Sequence, residues 1–85
     1  MYKILFSSQA VKTIQKLPHN KALLIREKIN LLAADPYNPN LNSKKLHGRA
    51  GYRIRVGDWR IIYELKNEEL IIIIIKIDSR GDIYK

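Results

Sequence analysis

Arg53, Arg55 and Arg60 carry the clearest chemical signal in this 85-residue chain. They sit in the run Tyr52-Arg53-Ile54-Arg55-Val56-Gly57-Asp58-Trp59-Arg60-Ile61-Ile62-Tyr63, where apolar and basic residues alternate on either side of Gly57-Asp58. Two turn residues between alternating runs signal a β-hairpin, and Gly at the first central position suits a type II′ turn. With a turn of just those two residues, Val56 faces Trp59, Arg55 faces Arg60 and Arg53 faces Ile62. Alternation then puts Arg53, Arg55 and Arg60 on one face and Ile54, Val56, Trp59, Ile61 and Tyr63 on the other. Like charges directly opposite on paired strands destabilise by about 0.2–1 kcal/mol, so Arg55 against Arg60 serves no folding purpose. It does serve anion binding, because guanidinium is a planar fork of donors matched to phosphate oxygens and is charged at any physiological pH. The competing reading is a solvated face balanced by Asp58 and Glu64.

Overall charge points the same way. Sixteen Lys and Arg against eight Asp and Glu leave a net charge of +8. That excess favours nucleic acid or an acidic protein as partner. It is concentrated in Lys44, Lys45, Arg49, Arg53, Arg55 and Arg60, opposed between positions 44 and 60 only by Asp58. Lys44, Lys45 and Arg49 are therefore candidate polyanion-binding residues flanking the hairpin, and His47 beside the Lys pair is a candidate phosphate contact.

Other chemistries lack their residues. There is no cysteine, hence no disulfide, thiolate metal site or Cys nucleophile, a usage that suits a reducing cytoplasm. His19 and His47 stand isolated in loops, and Asp78 with Asp82 has no further acidic partner, so neither metal nor other cofactor is expected. No Gly-rich phosphate loop or Ser/His/Asp spacing occurs. The N-terminus does not read as a signal peptide. The longest apolar run, residues 70–75, is far short of the ~20 needed to span a bilayer. A soluble cytoplasmic protein is expected, with residues 1–85 forming one domain.

The elements that must position the arginines follow from pattern. Tyr2-Lys3-Ile4-Leu5-Phe6 reads as a strand. Ser7 or Ser8 can cap a helix carrying Ala10, Val11, Ile14 and Leu17, ended by Pro18. Asn20 can cap a second helix with an apolar stripe of Leu24, Ile25, Ile29 and Leu32, ended at Asp35-Pro36. Residues 37–43, rich in Asn and Pro, read as a loop. Beyond the hairpin, Lys66-Asn67-Glu68-Glu69 is a second turn, and the five consecutive isoleucines after Leu70 suggest a central strand buried on both faces. The expected fold is α+β: an N-terminal strand, an antiparallel helical hairpin, and an antiparallel sheet completed by a C-terminal three-stranded meander.

Lys45-Leu46-His47-Gly48, the hairpin run, and Arg80-Gly81-Asp82-Ile83-Tyr84 together resemble the RelE branch of the RelE/ParE toxin superfamily. Phe6-Ser7 with Ala10, Lys16-Leu17-Pro18 and Asp35-Pro36 fit the same pattern, so the resemblance spans nearly the whole chain. It implies the RelE/ParE-like fold and a toxin that cuts messenger RNA in the ribosomal A site, without metal. A cognate acidic RelB-like antitoxin would silence it in a toxin–antitoxin hetero-oligomer. By that resemblance Arg53, Arg55 and Arg60 hold and stabilise the scissile phosphate. Arg80 stabilises or protonates the leaving 5′-oxygen, and Tyr84 deprotonates the attacking 2′-hydroxyl. Lys44, Lys45, His47 and Arg49 would then contact RNA or the ribosome. A tyrosine has an ordinary pKa of about 10, which neighbouring cations can lower. Arg80 is better suited to stabilising charge than to giving up a proton, its pKa being above ~12. Many relatives carry a histidine before the arginine matched by Arg80, where this chain has Ser79; RelE itself manages without that histidine. Two alternatives are a ParE-like DNA gyrase inhibitor and a non-cleaving nucleic-acid-binding relative.

Overall fold

The computed structural model describes residues 1–79, so Arg80 and Tyr84 lie outside the described residues. Its elements in chain order are β1 (Lys3–Phe6), α1 (Ser8–Lys16), α2 (His19–Ala34), a 3-10 turn (Pro39–Leu41), β2 (Lys44–Lys45), β3 (Tyr52–Val56), β4 (Trp59–Lys66) and β5 (Ile71–Ser79). The strands form one sheet in the order β1-β5-β4-β3-β2. The class is α+β as expected, with two differences. The short strand β2 extends the sheet beyond β3, and β1 joins β5 in parallel, so the sheet is mixed rather than antiparallel throughout. Two helices and a long loop carry the chain from β1 to the far edge, and the meander then grows back until its last strand lies beside the first.

The Ser7 side chain accepts from the Ala10 amide, an N-cap worth roughly 1 kcal/mol. The start of α2 differs from expectation. Its first bonds run from the Lys21 and Ala22 amides to the Pro18 carbonyl, both at 3.0 Å. Extended Pro18, not Asn20, is therefore the cap, and Asn20 lies inside the first turn. The helix ends where Asp35 turns extended (φ −159°) before Pro36, because a pre-proline residue is pushed out of the helical region.

One face of the sheet is covered by the helices. Ile54, Ile61, Tyr63, Ile72, Ile74 and Ile77 from the sheet meet Ala10, Ile25, Ile29 and Leu32 from the helices, with Leu41 beside them. Ile25, Ile29 and Leu32 follow helical i, i+4, i+7 spacing. Leu24 is exposed instead, with Leu23 and Leu31, since it lies about 100° around the helix from Ile25.

β5 is an interior strand, yet its isoleucines are not buried equally. Ile72, Ile74 and Ile77 are fully buried, whereas Ile71, Ile73 and Ile75 are half-buried. The buried positions switch from even to odd because the strand bulges. Ile62 pairs with Lys76 and Tyr63 with Ile74, leaving Ile75 without a partner on β4. A one-residue bulge reverses which face later side chains take. Here it sends Lys76 and Asp78 to the uncovered face. Beyond the end of β1, Gln9 takes over the edge of β5: its amide donates to the Ile77 carbonyl and accepts from the Ile77 amide, both at 3.0 Å. No helix among the described residues is long and apolar enough to cross a membrane.

Candidate nucleic-acid interface

The hairpin has the register that its turn dictates. Val56 pairs with Trp59, Arg55 with Arg60 and Arg53 with Ile62. Of the two turn residues only Gly57 has a positive φ, at 59°, as a type II′ turn requires. The three arginines therefore share the face opposite the helices, and the neighbouring strands extend it. Lys44 of β2 is aligned with Arg53, and across the hairpin Ile62 is aligned with Lys76; in the next row Arg55, Arg60 and Asp78 are aligned. Strands spaced about 4.8 Å apart, with same-face residues roughly 6.8 Å apart along each, make this a patch of phosphate dimensions. A small hollow of about 40 Å³ beside the turn is lined by Arg55, Gly57, Asp58, Trp59 and Arg60.

Asp78 stands in the same row as the two arginines. Only 7% of it is exposed, it lies opposite Arg60 in register, and its Oδ2 is 3.3 Å from the Lys76 ammonium. Its Oδ1 is buried without a hydrogen-bond partner among the described residues, a costly state for a carboxylate oxygen unless neighbouring positive charge offsets it. Glu64 turns instead to Lys66, at 3.8 Å. The sequence pattern gives Lys76 no role and presents Asp78 only as a carboxylate without the partners a metal needs. The available signal was Lys76 itself, which unbroken alternation from Ile72 and Ile74 would have placed in the core.

The remaining candidates are more dispersed. Lys45 pairs with Tyr52 and so alternates to the other face. His47 and Arg49 are exposed in the loop of residues 46–51, closed by a 3.0 Å bond from the Leu46 amide to the Gly51 carbonyl. Gly51 has a φ of 112°, and a Cβ there would lie 2.9 Å from the Tyr63 carbonyl oxygen, so this loop exit demands glycine. Beneath it Tyr63 stacks on Tyr52, with ring centroids 5.6 Å apart. Burial pushes the Tyr63 phenol above its ordinary pKa, with Ser43 partly opposing the shift. Among the described residues, no three His, Asp or Glu side chains gather to hold a metal ion. The described chain ends at Ser79, paired with Trp59 at the turn end of the hairpin.

Two helices on one face of a five-stranded mixed sheet, with the hairpin's arginines on the other, define a RelE-like fold. Residues 4–84 match the family model described as ParE toxin of type II toxin-antitoxin system, parDE. No curated protein matches the chain. Among solved structures, the archaeal RelE–RelB complex from Pyrococcus horikoshii OT3 has a similar chain at 31% identity and TM-score 0.81, covering 94% of this chain and 96% of that one. The RelB–RelE antitoxin–toxin complex from Methanococcus jannaschii gives 28% identity and TM-score 0.76, covering 95% of each chain. The intact E. coli RelBE toxin–antitoxin complex shares the fold at 21% identity and TM-score 0.78, covering 93% of this chain and 96% of its counterpart. The chain belongs to the RelE/ParE superfamily and is a toxin of the type II toxin–antitoxin class.

Proposed function

We propose that this toxin, acting as one domain over residues 1–85, is an endoribonuclease that cuts messenger RNA in the ribosomal A site in the cytoplasm, without metal. The observation that carries this reading is the Arg55–Arg60 pair, aligned beside Arg53 and Lys44 on the uncovered face of the sheet. The substrate's own 2′-hydroxyl attacks the adjacent phosphorus, the P–O5′ bond breaks, and the products are a 2′,3′-cyclic phosphate and a 5′-hydroxyl. Negative charge grows on the non-bridging oxygens during attack, and prearranged guanidinium groups stabilise it. In the scheme implied by the resemblance, Tyr84 takes the 2′-hydroxyl proton and Arg80 stabilises the leaving oxygen. Lys45, His47 and Arg49, dispersed around the loop, are proposed to meet the ribosome rather than the scissile bond.

The partner proposed is an acidic RelB-like antitoxin. The net charge of +8 and the exposed Leu5, Phe6 and Val11 support a partner that is both acidic and apolar. The relatives from Pyrococcus horikoshii OT3 and Methanococcus jannaschii were crystallised with RelB antitoxins.

The test adds purified chain to translating ribosomes and maps cleavage on the message. Cuts at A-site codons that disappear with Tyr84→Phe are expected. One observation favours a second reading, since the matching family model carries the ParE name. A ParE-like toxin would block DNA supercoiling by gyrase and leave the message whole, and that pattern would replace the ribonuclease reading.

A further inference from the structure

A hollow of about 360 Å³ opens at the edge of the sheet, lined by Lys28, Leu41, Asn42, Lys44, Arg53 and Arg55. It exists because β2 pairs with β3 only at Tyr52 and Arg53, with no strand among the described residues beside residues 54–56 on that side. Asn42 adopts a left-handed conformation (φ 51°) just past the 3-10 turn, which turns the chain into β2 along the hollow's rim. Lys28 comes from α2, so this lining unites the helical layer with the arginine face. Four of the six residues are cations and none is acidic. The ion pairs among the described residues, Lys66–Glu64 and Lys76–Asp78, involve none of these cations.

Converging like charges gain nothing for the fold, and the hollow has ample room for a phosphate group. Arg55 also lines the smaller hollow that Arg60 borders, so one residue is shared by the two hollows. Same-face residues advance roughly 6.8 Å along a strand, which sets the Arg53 and Arg55 places in series.

We infer that the edge hollow is a second phosphate subsite, which seats the RNA backbone phosphate neighbouring the one that is cut, with Lys28 as a binding residue. The inference rests on the ribonuclease reading and adds its substrate path. A single strand lies along the β3 edge, one phosphate among Lys28, Lys44 and Arg53, the next between Arg55 and Arg60. Lys28 was not a candidate from sequence because its neighbours in space come from segments far along the chain.

The test measures binding of a short 2′-O-methyl oligoribonucleotide, whose blocked 2′-oxygen prevents self-attack, across a range of salt concentrations. Removing one phosphate contact on a single strand should make the slope of log K against log salt shallower by about 0.7. Lys28→Ala is expected to weaken binding and produce that change, while Lys28→Arg restores both. Lys12→Ala, which removes an exposed lysine of α1 outside the hollow, is expected to leave the slope at the wild-type value. Wild-type affinity and slope in Lys28→Ala, or an equal loss in Lys12→Ala, would overturn the subsite. If ribosomal cleavage by the wild type persists in that case, the ribonuclease reading survives alone. A wild-type chain that neither cuts the message nor binds the oligonucleotide overturns both.

Discussion

Arg60 and Ile61 are neighbours in sequence and opposites in role. Ile61 enters a face sealed by two helices and is fully buried, whereas Arg60 turns to the face that the helices leave uncovered, with Arg55 on one side and Asp78 on the other. The covered face satisfies the demands of folding: it is apolar and close-packed, and β5 keeps Ile72, Ile74 and Ile77 on it by way of a bulge. The other face violates those demands by aligning two arginines and burying a carboxylate oxygen that has no hydrogen-bond partner among the described residues. Such departures from local consistency concentrate where a protein acts rather than where it merely holds together.

Substitutions on either face can sharpen that contrast. The largest stability effect belongs to the covered face: Ile61→Ala should cost about 2–5 kcal/mol, as deletion of a fully buried aliphatic side chain does. Urea denaturation measures it, and a loss below ~1 kcal/mol would mean that the helix-covered core relaxes far more than its packing suggests. Asp78 should show coupling across the open face. Asp78→Asn is expected to destabilise the wild type more than it destabilises Arg60→Ala, with a coupling of at least about 0.5 kcal/mol in a double-mutant cycle. Strict additivity would mean that Asp78 does not offset the arginine row.

The smallest effect is a pH dependence on the covered face. Burial raises the Tyr63 phenol above its ordinary value of 10.0, so the folded form holds its proton more tightly than the unfolded chain does. That contribution is complete below about pH 10 and is lost as pH climbs from there through the folded pKa. Thermal melts in alkaline buffer should therefore show a decline that is shallower in Tyr63→Phe. An identical decline in both chains would assign it to other groups.

The hairpin was legible in the sequence because a two-residue turn with leading glycine sets its own register, and period-two alternation then sorts every side chain. The RelE-like resemblance likewise survived the comparisons with known proteins. The bulge at Ile75 leaves no mark among the identical isoleucines, and its one signal in the sequence is Lys76, which unbroken alternation would bury. The parallel pairing of β1 with β5 depends on where the helices carry the chain, which local pattern does not encode. Asn20 misled because a good capping residue stood two positions after Pro18, whose extended backbone had already opened the helix. Lys28 reached the candidate site only through tertiary packing. Arg80 and Tyr84 rest on the resemblance, as they lie outside the described residues.

The central claim, that the open face is built for RNA at the expense of the fold, is tested most directly by measuring two properties of one variant. Arg60→Ala is to be assayed for thermal stability and for cleavage of messenger RNA on translating ribosomes. Cleavage is expected to fall by about 10²–10³-fold, the usual cost of one prearranged charge-stabilising donor. Stability should change by no more than about 1 kcal/mol in either direction, because relief of the opposed arginine pair works against loss of the Arg60 charge opposite Asp78. A variant that cuts like the wild type but melts early would contradict the account, since Arg60 would then serve the fold.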